Sequence, residues 1–130
     1  MEIEDQKFDE LVNEVWLNVP QEFKEKIENV GVVVVSAPTA RELASVKARG
    51  LLLGLFEGVP KTAWGGGSNP CKITIFRQPI MTVSKDLHDL KITIHVVLMH
   101  ELAHYFGYND DQMFVLDKKM RARLIKGDKA

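Results

Sequence analysis

The sequence lacks several features that mark specialised classes of protein. Its 130 residues include a single cysteine, Cys71, so an internal disulfide is impossible and oxidising export is not indicated. Its 17 basic and 18 acidic residues leave a net charge of −1, which gives no electrostatic case for nucleic acid or an anionic membrane. No apolar run approaches the roughly 20 residues of a transmembrane helix. The acidic residues 1–5 lack the basic-then-apolar order of a signal peptide. We therefore expect one cytoplasmic domain spanning residues 1–130.

Apolar spacing predicts helices near both ends of the chain. Residues 8, 11, 12, 15 and 16 are apolar and recur at i, i+3, i+4, i+7 and i+8, which indicates an N-terminal helix with one buried face. A second helix is expected to begin at Pro20, because proline is well tolerated in a first helical turn. The last predicted helix follows Gly107, and its apolar face would comprise Met113, Leu116, Met120 and Leu124.

Three segments are predicted to be strands. The valine run at 32–35 does not alternate and fits a strand buried on both faces, and residues 51–56 are a second candidate. Residues 72–77 alternate polar and apolar, which is typical of a strand with one solvent face near a sheet edge. An exposed edge of that kind can pair with an extended peptide. Residues 58–71 are rich in glycine and proline and are predicted to be an irregular loop.

The segment 84–106 gives conflicting signals. Residues 92–97 are strand-like by propensity. However, Leu87, Leu90, Ile94 and Leu98 keep helical spacing, and a long helix that is apolar on all sides suits the core of a small domain. We therefore predict one long buried helix.

Residues 100–110 carry the main functional signal and read His-Glu-Leu-Ala-His-Tyr-Phe-Gly-Tyr-Asn-Asp. Residues four apart on a helix lie about 40° apart around its axis, so His100 and His104 can direct both imidazoles to one metal ion. Glu101 lies about 100° from His100, beside the ion, where a general base for activated water belongs. Gly107 lets the helix end and the chain turn back, which would bring Asp110 to the open side of the ion. The pattern predicts a catalytic zinc site with three protein ligands and a position for water.

Alternatives exist within this motif. An amphipathic helix with two incidental histidines and a glycine cap would show the same sequence pattern. Asp110 or Asp111 could instead cap the final helix. We prefer Asp110 as the ligand, with Asp111 as the cap or as a partner that holds a ligand in place.

Other candidate residues carry weaker signals. Tyr105 could donate to a developing oxyanion, Arg77 could bind a substrate carboxylate, and Trp64 could contact substrate from its glycine-rich loop. An ordinary packing or surface role is the alternative for each. His95 lies about 180° from His104 around the helix, so the two cannot share a metal through this helix.

The residues just described match a known pattern. His100, Glu101, His104, Gly107 and Asp110 occupy the positions of His-Glu-x-x-His-x-x-Gly-x-x-Asp, and the chain resembles the small bacterial zincin-like metallopeptidases. Residues 53–60, Leu-Gly-Leu-Phe-Glu-Gly-Val-Pro, are similar to a second block of that family, and residues 73–77 with the following Pro-Ile are similar to a third. The likeness spans about residues 20–125.

The resemblance implies an α+β fold, in which a short mixed β-sheet packs against an active-site helix with flanking helices. It also implies Zn²⁺ held by His100, His104 and Asp110, with Glu101 as the catalytic base. The leading expectation is a zinc-dependent metallopeptidase that acts on a peptide or protein laid along residues 72–77, without nucleic-acid or membrane partners.

Two other functions are weighed against this expectation. Zinc endoribonucleases of ribosomal RNA maturation place metal ligands at the same 0, 4 and 10 spacing, but use three histidines and no glutamate after the first. The glutamate at 101 and the near-neutral charge argue against RNA as the substrate. The last alternative is a non-catalytic domain that binds zinc structurally or binds peptides at its sheet edge, although structural zinc usually has four protein ligands.

Overall fold

A computed structural model describes residues 1–19, 21–46, 52–65, 70–109, 111–112, 114–115 and 118. Among these residues the helices are α1 (Asp5–Leu17), α2 (Gln21–Lys24), α3 (Ala40–Ser45), α4 (Arg77–Val83), α5 (Leu87–Phe106) and a 3₁₀ helix at Lys61–Ala63. The strands are β1 (Val30–Val35), β2 (Gly54–Glu57) and β3 (Cys71–Phe76). None of the described helices combines the length and apolar character that crossing a membrane requires.

The three strands form one mixed sheet in the order β1–β3–β2. β1 runs parallel to β3 with Val32 opposite Ile73, and β2 runs antiparallel to β3 with Gly54 opposite Ile75. Helix α5 packs against β2, β3, α1 and α4, so it is the element around which the core forms. The predicted α+β fold, with a short mixed sheet packed on a long helix, is confirmed.

The roles predicted for β1 and β3 are reversed in the structure. β3 is the central strand and is paired on both sides, so no extended peptide can add to it. Arg77, the last residue of the predicted strand, begins α4. Its Thr74, a polar member of the alternating pattern, is only 2% exposed. β1, predicted to be buried on both faces, is an edge strand whose Val33 is 40% exposed. The prediction was wrong because apolar and β-branched content reports burial of side chains and not the number of neighbouring strands.

Helix α5 confirms the prediction for residues 84–106. Asp86 caps its N-terminus by accepting a hydrogen bond from the Asp89 N–H. Leu90, Ile94 and Leu98 are fully buried, which explains why helical spacing prevailed over the strand propensity of residues 92–97.

The predictions for the N-terminal helix, the loop and the last helix have different outcomes. The N-terminal helix is confirmed as α1, with Phe8, Leu11 and Val12 buried. The predicted irregular loop contains the 3₁₀ helix at Lys61–Ala63, which packs against α5. Residues 111–112 and 114–115 are helical, but the four apolar residues predicted to line the final helix lie outside the described residues.

Gly107 ends α5 under two separate constraints. Its φ of 75° lies in the left-handed region, which favours glycine. In this conformation the Tyr108 N–H donates to the Ala103 carbonyl, so the helix end is closed by backbone hydrogen bonds. A Cβ added at 107 would lie 2.3 Å from Oγ1 of Thr62, because the 3₁₀ helix packs tightly here.

We expect Gly107→Ala to lower the free energy of unfolding by roughly 2–3 kcal/mol, since it adds both left-handed strain and a steric clash. Gly31→Ala is the matched control, because no atom lies within 4 Å of an added Cβ there. It should leave stability unchanged or raise it by up to about 1 kcal/mol. Urea unfolding of both variants tests this, and equal stabilities would contradict the proposed constraint.

Candidate metal centre

The last two turns of α5 bring three potential ligands together. His100 and His104 lie one turn apart, with ring centroids separated by 5.0 Å and ring planes 80° apart. One ligand atom each from His100, Glu101 and His104 lie within 4.8 Å of one another. The i, i+4 spacing of the histidines produces this convergence, as the sequence predicts.

The three side chains differ in exposure. Glu101 is only 8% exposed, His100 is partly buried and His104 is exposed. Burial raises the pKa of Glu101 to about 7, and a hydrogen bond from the Phe56 backbone opposes this rise. A carboxyl group that titrates near neutral pH is suited to accept and release a proton during catalysis.

His104 fits a metal ion in its protonation as well as in its position. Although His104 is exposed overall, partial burial and then the nearby His100 lower its pKa. A lower pKa favours the neutral imidazole, which is the form that binds a metal. Two imidazole nitrogens beside a carboxylate are a donor set that suits zinc.

The third predicted ligand, Asp110, lies outside the described residues, so its role stays a prediction. The residues on either side of it are informative. The Asn109 side chain accepts from the Gln112 N–H at 2.8 Å, and the Gln112 side chain accepts from the Asn109 N–H at 2.9 Å. This reciprocal pair is a capping box, so the cap expected of Asp110 or Asp111 is provided by Asn109. The Asn-x-x-Gln spacing was readable in the sequence and was missed.

The β2 edge lies beside this centre. The Phe76 N–H donates to the Leu53 carbonyl, and Gly54 lies opposite Ile75. Hydrogen-bonded and non-bonded pairs alternate along an antiparallel ladder, so the N–H and C=O of Gly54 face the open side of β2. A Cβ on Gly54 would lie 2.7 Å from Cγ1 of Val97 and 3.3 Å from Cγ of Glu101. Glycine therefore allows β2 to approach the base, a role that sequence reasoning missed.

A cavity of about 310 Å³ opens between the start of β2 and α5. Its lining residues are Leu52, Leu53, Gly54, Val96, Val97, His100 and Glu101. The candidate ligand His100 and the candidate base Glu101 thus form one wall of a largely apolar pocket.

Tyr105 and Trp64 have structural roles. The Tyr105 hydroxyl donates to the Glu28 carbonyl and accepts from the Glu28 N–H, both at 2.9 Å. This hydroxyl is therefore engaged in a buried link between α5 and the residues before β1. Trp64 packs edge-on against Tyr105 with centroids 5.9 Å apart, and its Nε1 donates to the Val59 carbonyl. It anchors its loop to the end of α5.

Arg77 also has a structural partner. Its guanidinium donates to both carboxylate oxygens of Asp9, at 2.9 and 3.1 Å, and lies 3.7 Å from Asp5. The hydrogen bond to Asp9 is the main reason that the pKa of Arg77 is raised. This ion pair links α1 to the end of β3. It occupies the guanidinium N–H groups that would otherwise bind a substrate carboxylate. His95 is buried in the core, 5% exposed.

Comparison with known proteins points in the same direction. A family model described as zincin-like metallopeptidase matches residues 27–120, which include all three strands and α5. A solved structure of a conserved hypothetical protein from Thermo thermophilus is similar, with 26% sequence identity and a TM-score of 0.53 over 78% of this chain and 92% of that chain. No curated protein sequence matches this chain.

The raised pKa of Glu101 predicts a pH-dependent stability in the metal-free protein. The folded state holds this proton up to about pH 7, whereas the ordinary pKa of a glutamate carboxyl is 4.5. The folded state thus binds more protons between these values, and the stabilisation present below pH 4.5 is lost as the pH rises through 7. His104 acts in the opposite direction, losing its contribution as the pH falls below 6.5.

Glu101→Gln isolates the first effect, because it removes one titration and leaves His104 in place. The stability of the variant relative to the unmodified protein should rise by up to about 3 kcal/mol from about pH 4 to about pH 8. Urea unfolding of both proteins in the presence of a chelator measures this difference. A difference that does not change with pH would contradict the raised pKa.

Proposed function

Because this chain belongs to the zincin-like metallopeptidase family, we propose that it is a zinc-dependent peptidase. His100, His104 and Asp110 would hold the ion, and Glu101 would act as the general base. The convergence of two imidazoles and a buried carboxylate within 4.8 Å is the observation that carries this proposal. A glutamate directly after the first histidine also favours a peptidase over an endoribonuclease-like hydrolase, whose motif has none at that position.

The proposed zinc ion and Glu101 would have separate chemical roles. Zinc, when bound, would supply an acidified water molecule and a Lewis acid for the scissile carbonyl. The Glu101 carboxylate accepts the proton of the attacking water and returns it to the leaving amine. The burial of Glu101 supports this assignment, since a pKa of about 7 suits both directions of proton transfer.

The substrate path follows β2 and not β3. The open edge of β2 presents the N–H and C=O of Gly54 beside Glu101. An extended peptide that adds to this edge by main-chain hydrogen bonds would pass the site at the end of α5. This path replaces the one along residues 72–77, because β3 (Cys71–Phe76) is paired on both sides within the sheet.

Glu101→Gln should keep zinc binding and lose turnover by roughly 10²–10⁴-fold, because the base is removed while the proposed ligands remain. Zinc content of the purified protein and cleavage of a quenched fluorescent peptide library measure the two properties. Glu14→Gln, at an exposed position on α1 and away from the site, is the control and should leave both unchanged.

His104→Ala provides the complementary test and should lower both zinc affinity and turnover. Unchanged turnover in Glu101→Gln would refute Glu101 as the base. An unmodified protein that binds no zinc, or full zinc affinity in His104→Ala, would refute the metal centre itself.

A further inference from the structure

The cavity beside the metal centre has walls that the hydrolytic chemistry does not use. It lies between the start of β2 and α5 and measures about 310 Å³. Apart from His100 and Glu101, the lining residues that the structure describes are apolar or glycine: Leu52, Leu53, Gly54, Val96 and Val97. Val97 and Leu53 also belong to the hydrophobic core or pack against it, whereas Leu52 and Val96 are apolar wall residues outside it.

We propose that this cavity receives one aliphatic side chain of the substrate, so that the enzyme cleaves peptides next to leucine, isoleucine or valine. The inference rests on the peptidase function proposed above and adds the substrate class. A volume of about 310 Å³ has room for one aliphatic side chain of a substrate.

The chemistry of the walls selects against other side chains. An aspartate or glutamate side chain in the cavity would place a second carboxylate beside Glu101. A neutral polar side chain would lose its water against Leu52, Val96 and Val97, which offer no side-chain hydrogen-bond partner. An aliphatic side chain gains from the same burial, because removing apolar surface from water is favourable.

The backbone geometry places a substrate side chain at this cavity. Gly54 belongs to the cavity wall and also presents its N–H and C=O to the open side of β2. A peptide bonded to Gly54 would therefore run past a residue of the cavity wall. The missing Cβ keeps this position open, since any side chain at 54 would meet Val97 and Glu101.

Binding can be tested without catalysis, using small amides and the metal-free protein. N-acetyl-leucinamide should shift the NMR signals of Gly54, Val96 and Val97, and it should bind at least about tenfold more tightly than the glycine, lysine or aspartate analogues. Val96→Phe fills the cavity and should abolish this binding. Val83→Phe, at an exposed position on α4, is the matched control and should bind as the unmodified protein does.

If Val96→Phe does not fold, Leu52→Phe fills the same cavity from the β2 side and takes its place. Equal binding of the glycine analogue would overturn the inference, as would leucinamide shifts confined to other surfaces. Tighter binding of the lysine analogue would assign the cavity to a cationic side chain paired with Glu101, and would also overturn it.

Cleavage of a peptide library by the zinc-loaded enzyme separates the two proposals. Preferred cleavage next to leucine, isoleucine or valine, lost in Val96→Phe, supports both. Cleavage without any aliphatic preference overturns the cavity assignment and leaves the peptidase function standing. Selective leucinamide binding without cleavage of any peptide supports an aliphatic side-chain pocket and counts against the peptidase function.

Discussion

Helix α5 has to satisfy two demands with the same 20 residues. It is buried against the sheet, α1 and α4, so most of its surface must be apolar. Its last two turns must nevertheless hold two histidines and a glutamate. The conflict is resolved by helix face, because Leu102 and Tyr105 are fully buried whereas His104, which lies between them in sequence, is exposed to solvent. Glu101 lies at this boundary, which accounts for its raised pKa.

The fit of β2 against α5 depends on this same boundary. Val97 and Glu101 leave no space for a side chain at Gly54, so β2 can approach only where the chain has a glycine. The approach brings the Phe56 backbone to the Glu101 carboxylate and creates the aliphatic cavity in one step. The environment of Glu101, the position of the β2 edge and the cavity thus all depend on a single close contact between a strand and a helix.

Local sequence signals predicted the parts of the structure that depend on neighbours along the chain. Periodicity identified α1 and α5, and the His-Glu-x-x-His spacing predicted the convergence of His100 and His104. The sequence-based predictions were wrong where pairing between distant segments determines the structure. The order β1–β3–β2 could not be read from the valines of β1 or the alternation of β3, because side-chain burial does not specify which strand has two partners.

Predictions for single side chains at the site were likewise correct where neighbours along the chain decide and wrong where distant residues decide. Arg77 and Tyr105 looked available for substrate, but Asp9 and Glu28, far away in sequence, are their partners. The steric constraint on Gly107 likewise comes from a distant residue, Thr62. The sequence did predict that Gly107 ends the helix. The capping box that begins at Asn109 is local, and its signal was present but overlooked in favour of the neighbouring aspartates.

The open edge of β1 has a consequence for the behaviour of the protein in concentrated solution. Its residues Val30–Val35 include no charge and no proline, the devices by which edge strands usually discourage aggregation. Since β3 separates β1 from β2, this edge and the site lie on opposite sides of the sheet. Self-association through β1 would thus lengthen the sheet away from the candidate metal centre.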